Sequence, residues 1–229
     1  MLRIAMVAGE ASSDQLAAHL IIALKQHLPD VQFYGIGGPK MQREKFASLW
    51  PAEMLAIHGY AEVLRNYRAI ASMRRQLLRH LLKDPPSIFI GVDGPDFNLW
   101  LEKRLKRNGI PTIHYVSPSI WAWRRNRMKK IVQSVSHMLA LYPFEPELYK
   151  DTAVKCSYVG HPMADVIPLA IDQRAVRERL GVPVDRPVIA LLPGSRKSEL
   201  HFMGETVIET AKLLLGRYPF ALRLLGIDR

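Results

Sequence analysis

The sequence is poor in cysteine and contains no long apolar segment. Its single cysteine, Cys156, excludes a disulfide framework and a cysteine-based zinc site. A lone thiol is typical of a reducing compartment. No window reaches the ~20 apolar residues that a membrane-spanning helix needs. Glu10 and Asp14 interrupt the first apolar run too early for a secretory signal. These absences predict a soluble, cytoplasmic protein.

Acidic residues are also scarce relative to basic ones. The chain has 21 Asp and Glu against 32 Lys and Arg, a net charge of +11. Such an excess predicts an anionic partner: nucleic acid, an anionic membrane surface or a phosphorylated substrate. The basic residues form no helix-turn-helix, zinc-finger or RNA-binding signature. The apolar content of 48% is that of a globular protein, which excludes a disordered or fibrous one.

Short apolar runs alternate with helical patterns along the chain. This alternation predicts an α/β fold, a Rossmann-like doubly wound parallel sheet with helices on both faces. Strands are expected over 2–8, 31–36, 87–92, 111–116, 137–141 and 154–159. The alternation of strands and helices begins again with a strand over 187–192, a helix over about 200–217 and a strand over 220–225. We therefore predict a domain over 1–165, a connection over 166–186 and the start of a second domain over 187–229.

Ligands of open α/β sheets bind beyond the carboxyl ends of the strands, which selects four loops here. The first loop, 9–14, contains Glu10, Ser12 and Ser13 before a helix. A tight turn with a helix N-cap is its simpler interpretation, and lining of a cleft is the alternative. With one glycine, the loop lacks the dinucleotide-binding fingerprint.

The second loop, 91–98, carries two carboxylates and ends at Asn98. Asp96 falls in the first turn of a predicted helix, where a carboxylate interacts favourably with the helix N-terminus. Asp93 stands at the strand tip, where a carboxylate suits a general base that removes a proton from a hydroxyl. From position alone, a catalytic and a structural role for Asp93 both remain open.

The third loop is rich in tryptophan. Trp121 and Trp123 flank one alanine, close to Ser117, Ser119 and a basic run that begins at Arg124. This composition predicts a surface for a sugar or an acyl chain, with the arginines near an anion. The alternative is that at least one tryptophan packs in the core.

The fourth loop combines Gly194, Ser195 and Arg196 before a helix that contains Glu199. Glycine lets the backbone approach a ligand, free N–H groups at a helix start attract phosphate, and arginine can bind phosphate through two donors. A helix cap alone would account for the serine but not for the three residues together. The loop therefore predicts phosphate binding.

A basic amphipathic helix is predicted over 61–83. Its apolar positions include Val63, Leu64, Tyr67 and Ile70, and Arg68 is one of its basic residues. Such a helix can lie on an anionic bilayer, although an ordinary surface helix packed on the sheet has the same pattern.

The histidines give weaker signals. His114 and His161 border loops and are candidate polar site residues. No two histidines stand at metal-ligand spacing with a carboxylate, so we predict no metal site.

Seven strings of residues together resemble the lipid-A-disaccharide synthase family. They lie in family order at 7–14, 35–41, 92–98, 114–124, 143–145, 159–162 and 192–196. The string Tyr-Val-Ser-Pro-Ser-Ile-Trp-Ala-Trp-Arg is highly specific, whereas the glycine turns alone are weak signals.

The resemblance implies a GT-B glycosyltransferase with two Rossmann-like domains. Such an enzyme joins UDP-2,3-diacylglucosamine to 2,3-diacylglucosamine 1-phosphate (lipid X) with inversion and releases UDP. It acts at the cytoplasmic face of the inner membrane of Gram-negative bacteria. The resemblance further implies that Asp93 is the base for the acceptor hydroxyl, that Arg196 stabilises the departing diphosphate, and that Glu10 helps to line the cleft. No cofactor and no nucleic acid are expected, and a homodimer is left open.

Two residues depart from the family pattern, since Ser13 and Lys45 stand where glycine is usual. If the backbone at Ser13 needs a positive φ, the serine costs on the order of 1 kcal/mol. The family's second domain extends well beyond residue 229, so we expect a truncated chain. Three alternatives are a noncatalytic anionic-lipid-binding module, a nucleic-acid-binding protein and a UDP-sugar epimerase-like enzyme on the same fold.

Overall fold

The computed structural model describes residues 2–55, 60–122, 126–185, 187–194, 197–217 and 221–224. The chain divides into two compact units, Met1–Val166 and Ile167–Arg229. The first unit ends next to the predicted end of the first domain. Among the described residues, no helix combines the length and the apolar character needed to cross a bilayer.

The first unit is built on a seven-stranded parallel sheet in the order β3-β2-β1-β4-β5-β6-β7. Strand β1, in the interior of the sheet, pairs with β2 on one side and with β4 on the other. The strand order therefore reverses beside β1, which is the switch point where open α/β sheets bind ligands. The strands are β1 (Arg3–Ala8), β2 (Gln32–Ile36), β3 (Ala47–Trp50), β4 (Ile88–Val92), β5 (Thr112–Tyr115), β6 (His137–Ala140) and β7 (Lys155–Tyr158).

Helices cover both faces of this sheet, as the near-continuous apolar runs predict. Because side chains alternate along a strand, Met6 packs in one core cluster and Val7 in another on the opposite face. The fold-class prediction is confirmed. The helices of the unit are α1 (Ala11–His27), α2 (Pro39–Arg43), α3 (Tyr60–Lys83), α4 (Pro95–Arg107), α5 (Arg127–Ser134) and α6 (Met163–Val166).

The second unit contains a short parallel pair, β8 (Val188–Leu191) and β9 (Ala221–Leu224), joined through α8 (Lys197–Arg217). It begins with α7 (Gln173–Arg179), whose N-cap Asp172 accepts the Ala175 N–H at 3.0 Å. The predicted β-α-β arrangement of this part of the chain is present.

Sequence reasoning missed α2 and β3, which are both short. The carboxylate of buried Asp14 holds the first turn of α2, because its two oxygens accept the N–H groups of Lys40 at 2.9 Å and Met41 at 3.1 Å. Asp14 is thus the partner that a five-residue helix needs to be stable. A propensity pattern over five residues cannot reveal a cap supplied from another helix.

The condition for backbone strain at Ser13, a positive φ, is not met. Ser13 lies in the first turn of α1 with helical geometry, and it is not among the positive-φ residues of the described chain. Its hydroxyl accepts the Glu10 N–H at 2.9 Å, and the Glu10 side chain accepts the Ser13 N–H in return. This reciprocal capping box stabilises the start of α1.

The second departure, Lys45, does carry strain. Its φ is 60°, in the left-handed region that costs a non-glycine residue roughly 1–2 kcal/mol. We expect Lys45→Gly to raise the free energy of unfolding by about 1 kcal/mol, after the entropy that glycine loses on folding is subtracted. Urea-induced unfolding followed by circular dichroism measures this change.

The matched control is Lys40→Gly. Lys40 lies within α2 and is absent from the positive-φ residues, so glycine there is expected to lower stability. If both variants shift the unfolding midpoint in the same direction, strain at Lys45 is not the cause.

Candidate active site

Three of the predicted loops emerge side by side from the first unit. Ala8 of β1 pairs with Val92 of β4, and Val92 pairs with Tyr115 of β5. Because the strands are parallel, the loops that follow these three residues lie at one edge of the sheet. The fourth predicted loop, 193–199, belongs to the second unit.

Asp93 follows β4 in a strained backbone conformation. Its φ is 53°, and the next residue, Gly94, has a φ of 50°. The Asp93 N–H donates to the Tyr115 carbonyl at 2.8 Å, and the Asp93 carbonyl accepts the Asn98 side-chain amide at 2.7 Å. Both the N–H and the carbonyl of Asp93 are therefore hydrogen-bonded, so the backbone that carries its carboxylate is fixed in position.

Val116 is strained in the same way at the tip of the neighbouring strand. Its φ is 83°, which is rare for a β-branched residue, and its N–H donates to the Leu139 carbonyl at 3.0 Å. Strain of this kind costs roughly 1–3 kcal/mol per residue and clusters at functional sites. Two strained residues on adjacent strand tips single out this corner of the sheet.

Two cavities meet at Asp93. One, of about 410 Å³, runs toward Glu10, Leu55, Ile70 and Phe97 and is lined mostly by apolar groups. The other, of about 330 Å³, is more polar and is lined by Ser117, Ser119, Arg127 and Tyr142 among others. A carboxylate at this junction can reach a ligand that has both polar and apolar parts.

Glu10 and Asn98 both line the larger cavity. Glu10 is also the N-cap of α1. Asn98 is 2% exposed, and its amide nitrogen contacts the carbonyls of Asp93 and Val7. These contacts make Asn98 a residue that positions the Asp93 loop, and a direct contact with substrate stays a prediction. Ser12 lines a separate recess of about 180 Å³ with His161.

The third loop is anchored by Ser117. This residue is buried, and its hydroxyl lies 2.7 Å from the Tyr149 hydroxyl. Burial raises the pKa of the Tyr149 phenol. Ser119 and Trp121 are exposed, so packing of Trp121 in the core is excluded. The predicted residues Trp123 and Arg124 lie outside the described residues.

An aromatic cluster beside this loop was missed by the sequence analysis. The rings of Tyr142 and Phe144 stack at 5.8 Å with an interplanar angle of 11°, and the Trp121 ring stands perpendicular to Phe144 at 5.4 Å. Buried Glu145 accepts the Tyr142 N–H at 3.0 Å, and burial raises the pKa of this carboxyl. The available signal was the string Tyr-Pro-Phe-Glu directly after an apolar run.

Asp96 lies in the first turn of α4, as predicted. It is largely exposed and accepts a hydrogen bond from Arg127 at 2.8 Å. Arg127 also lines the polar cavity, so the ion pair holds its guanidinium group at the edge of the cavity that Asp93 lines.

The interpretation of His114 as a loop-border site residue is wrong. Its ring is fully buried in β5, and Nδ1 lies 2.7 Å from the equally buried Glu102 Oε1. Burial raises the pKa of Glu102, while His114 partly offsets that effect. A Cβ at Gly91 would overlap Glu102 Oε1 and stand 2.9 Å from Asn98 Cβ. Glycine at 91 thus lets α4 approach β4 closely enough to place Asn98 and Glu102 beneath the site.

The fourth loop is described only in part. Gly194 has a φ of 122°, and a Cβ there would stand 2.5 Å from Glu199 Cβ in the first turn of α8. Glycine is therefore required where the loop meets this helix. Ser195 and Arg196 lie outside the described residues, so phosphate binding by this loop stays a prediction.

The described half of the predicted amphipathic helix packs against the sheet. Met73, Leu77 and Leu81 are buried in the core, Ile70 faces the larger cavity, and Arg68 is exposed. The structure describes the backbone of α3 at Val63, Leu64 and Tyr67 but not the side chains that are predicted to contact a membrane. In the part of the chain that is described, no three His, Cys, Asp or Glu side chains are grouped as metal ligands.

The fold is shared with nucleotide-sugar enzymes of known structure. A UDP-GlcNAc 2-epimerase from Neisseria meningitidis, solved bound to UDP-GlcNAc, aligns with 99% of this chain and 66% of its own. The TM-score is 0.63 at 12% sequence identity. At this identity the likeness shows a common fold alone.

Sequence comparison finds relatives of much higher identity. A lipid-A-disaccharide synthase from Aromatoleum aromaticum is 59% identical over 217 residues, which are 95% of this chain and 56% of that protein. One from Dechloromonas aromatica is 60% identical over 216 residues, with 94% and 56% coverage. The chain thus spans a little over half of the length of the curated relatives it matches. Residues 4–226 match the family model described as lipid-A-disaccharide synthetase, and the chain belongs to this family.

Proposed function

We propose that this chain carries the acceptor-side part of an inverting glycosyltransferase that makes the lipid A disaccharide. The donor is UDP-2,3-diacylglucosamine, the acceptor is 2,3-diacylglucosamine 1-phosphate, and UDP is released. Family membership supports the reaction class. The observation that carries the proposal is the position of Asp93 at the meeting point of an apolar and a polar cavity.

Asp93 acts as the general base in this proposal. Its carboxylate takes the proton of the acceptor 6-hydroxyl, whose oxygen attacks the anomeric carbon of the donor. The bond from that carbon to the diphosphate oxygen breaks on the opposite face, which inverts the anomeric configuration. The held backbone of Asp93 supports the role, because a base must be positioned to within hydrogen-bond reach of the proton it removes.

Arg196 stabilises the departing diphosphate. A guanidinium group and the free N–H groups at the start of α8 together supply the positive field that a metal ion would otherwise provide. Gly194, Ser195 and Glu199 belong to the same phosphate-binding loop, and Ser119, Trp123 and Arg124 contact the substrates from the third loop. The fold shared with a UDP-GlcNAc-bound enzyme supports a UDP-sugar as ligand.

The chain works at the inner face of a bacterial inner membrane. Both substrates are acylated and anionic, so they reside in a membrane, and the net charge of +11 favours approach to an anionic surface. Residues 63, 64, 67, 68 and 70 of α3 form the contact in this proposal, and a homodimer remains compatible with it.

The test uses a chain of the relatives' full length that contains these 229 residues. We expect the disaccharide 1-phosphate and UDP in equal amounts when both acylated substrates are supplied, measured by mass spectrometry. An epimerase would convert the UDP-sugar without any acceptor. A noncatalytic lipid-binding module would give no product but would still bind anionic liposomes. Either of these results would refute the proposed transfer.

A further inference from the structure

We propose that Trp121, Tyr142 and Phe144 form an apolar corner that holds an acyl chain of an acylated sugar substrate. This inference rests on the proposed function and extends it to Tyr142 and Phe144, which have no assigned role there. The three rings form one connected cluster, with Phe144 in contact with the other two.

The three rings enclose an approximately right angle. Tyr142 and Phe144 lie nearly parallel, and Trp121 stands at 90° to Phe144. The three side chains are 48%, 49% and 48% exposed for Trp121, Tyr142 and Phe144. Three large aromatic residues that each leave half of their surface uncovered form a contiguous apolar patch, and such patches mark binding sites.

The corner is rigidly supported. The turn that carries Tyr142 and Phe144 is closed by the buried Glu145 carboxylate on the Tyr142 N–H, and the Glu145 N–H donates to the Tyr142 carbonyl at 3.1 Å. The loop that carries Trp121 is anchored by the Ser117–Tyr149 hydrogen bond. The Ser117–Tyr149 hydrogen bond is buried and the Glu145 side chain is buried, so both segments that carry the rings are anchored to the interior.

Continuity with the polar cavity identifies the class of ligand. Tyr142 lines that cavity together with Asp93, Ser117 and Arg127, whereas Phe144 and Trp121 do not line it. A ligand with its polar, reacting end at Asp93 would therefore leave the cavity across the rings. A molecule with a polar sugar phosphate at one end and hydrocarbon at the other matches this order of surfaces. A simple sugar would fill the polar cavity without needing the rings beyond it.

The experiment measures binding by the 229-residue chain itself, by isothermal titration calorimetry. The ligands are two series that differ only in acyl-chain length: 2,3-diacylglucosamine 1-phosphate and UDP-2,3-diacylglucosamine. Burial of one methylene is worth about fourfold in affinity. We expect affinity to rise with chain length until the corner is filled, and the series that shows the rise identifies the substrate that uses it.

The double variant Trp121→Ala/Phe144→Ala changes only rings outside the polar cavity, so it is expected to lose at least about tenfold in affinity for the long-chain ligand and less than about twofold for the shortest. Trp121→Leu/Phe144→Leu keeps apolar surface but removes the flat rings, so it is expected to retain the dependence on chain length. Tyr158→Ala, which removes a similarly exposed aromatic ring from β7, is the control and should bind as the original chain does. Circular dichroism checks that each variant is folded.

Several outcomes would overturn the inference. Equal losses for short and long chains, together with failure of the leucine variant, would assign the rings to a sugar face. Loss of binding to anionic vesicles that contain no acylated sugar would assign them to the membrane. No loss in either series would leave the rings without this role. Binding is measured without turnover, so the two proposals can fail separately. If no disaccharide is made but affinity still depends on acyl-chain length, the proposed reaction is refuted and the acyl-chain site is not.

Discussion

Replacing Asp93 by asparagine is expected to lower the rate of sugar transfer by a factor of about 10²–10⁴, the usual contribution of a general base. The substitution removes the proton acceptor but keeps the size of the side chain. It also keeps the fold, since asparagine tolerates the left-handed conformation that the φ of 53° imposes. The measurement is kcat in the full-length chain with both acylated substrates, beside the unfolding midpoint of each protein.

Asp96→Asn is the matched control for this variant. Asp96 lies three residues further along, in the first turn of α4, and is also a carboxylate, but it is largely exposed and pairs with Arg127. Such a pair is worth about 0–1 kcal/mol, so the change should alter the rate only slightly. If Asp93→Asn retains a rate close to that of Asp96→Asn, Asp93 is not the base.

Breaking the buried pair beneath the site is expected to have the largest effect on stability. His114→Ala leaves the Glu102 carboxyl fully buried without its ring partner, and breaking a buried pair of this kind costs about 3–5 kcal/mol. Urea-induced unfolding measures the loss. His137→Ala on the neighbouring strand β6 removes a partly exposed ring and should cost less than about 1 kcal/mol.

The loss in His114→Ala is also expected to depend on pH. Burial raises the pKa of Glu102 and His114 opposes that rise, so removal of the ring raises this pKa further. The folded variant then holds a proton that the unfolded chain releases above the ordinary value of 4.5. The original chain also keeps this proton up to the pKa of its own buried Glu102, which already lies above 4.5. The stability of the variant relative to the original chain therefore falls only as the pH rises above that folded-state pKa. A loss that stays constant at every pH at which both proteins are folded would show that Glu102 is not the group responsible.

The sequence was sufficient to predict the larger elements and the position of Asp93 at a strand tip. β1 and β4 are apolar on both faces, and helices such as α4 have clear start and stop signals at Pro95 and Gly109. Asp93 stands out because it follows a buried strand at the edge where ligands bind. These signals are local, so they can be read from neighbouring residues.

The features that were missed depend on contacts between distant parts of the chain. The short helix α2 relies on Asp14, the strain at Val116 arises where β5 meets β6, and Trp121 meets Phe144 only in the folded sheet. His114 was misjudged because its partner, Glu102, lies on a helix that precedes it. No pattern along the sequence shows that two polar residues will share one buried position.

The order of the strands has a consequence for synthesis on the ribosome. Strand β1 leaves the exit tunnel before β2 and β4, but Ile4 pairs with Ile88 and Ala8 with Val92, far later in the chain. Until those residues emerge, the nascent chain can pair β1 with β2 alone, and one edge of a strand that is apolar from Ile4 to Ala8 stays open. Unpaired strand edges of this kind promote association with other chains. The early nascent chain is therefore expected to depend on chaperones that cover this edge until β4 is made.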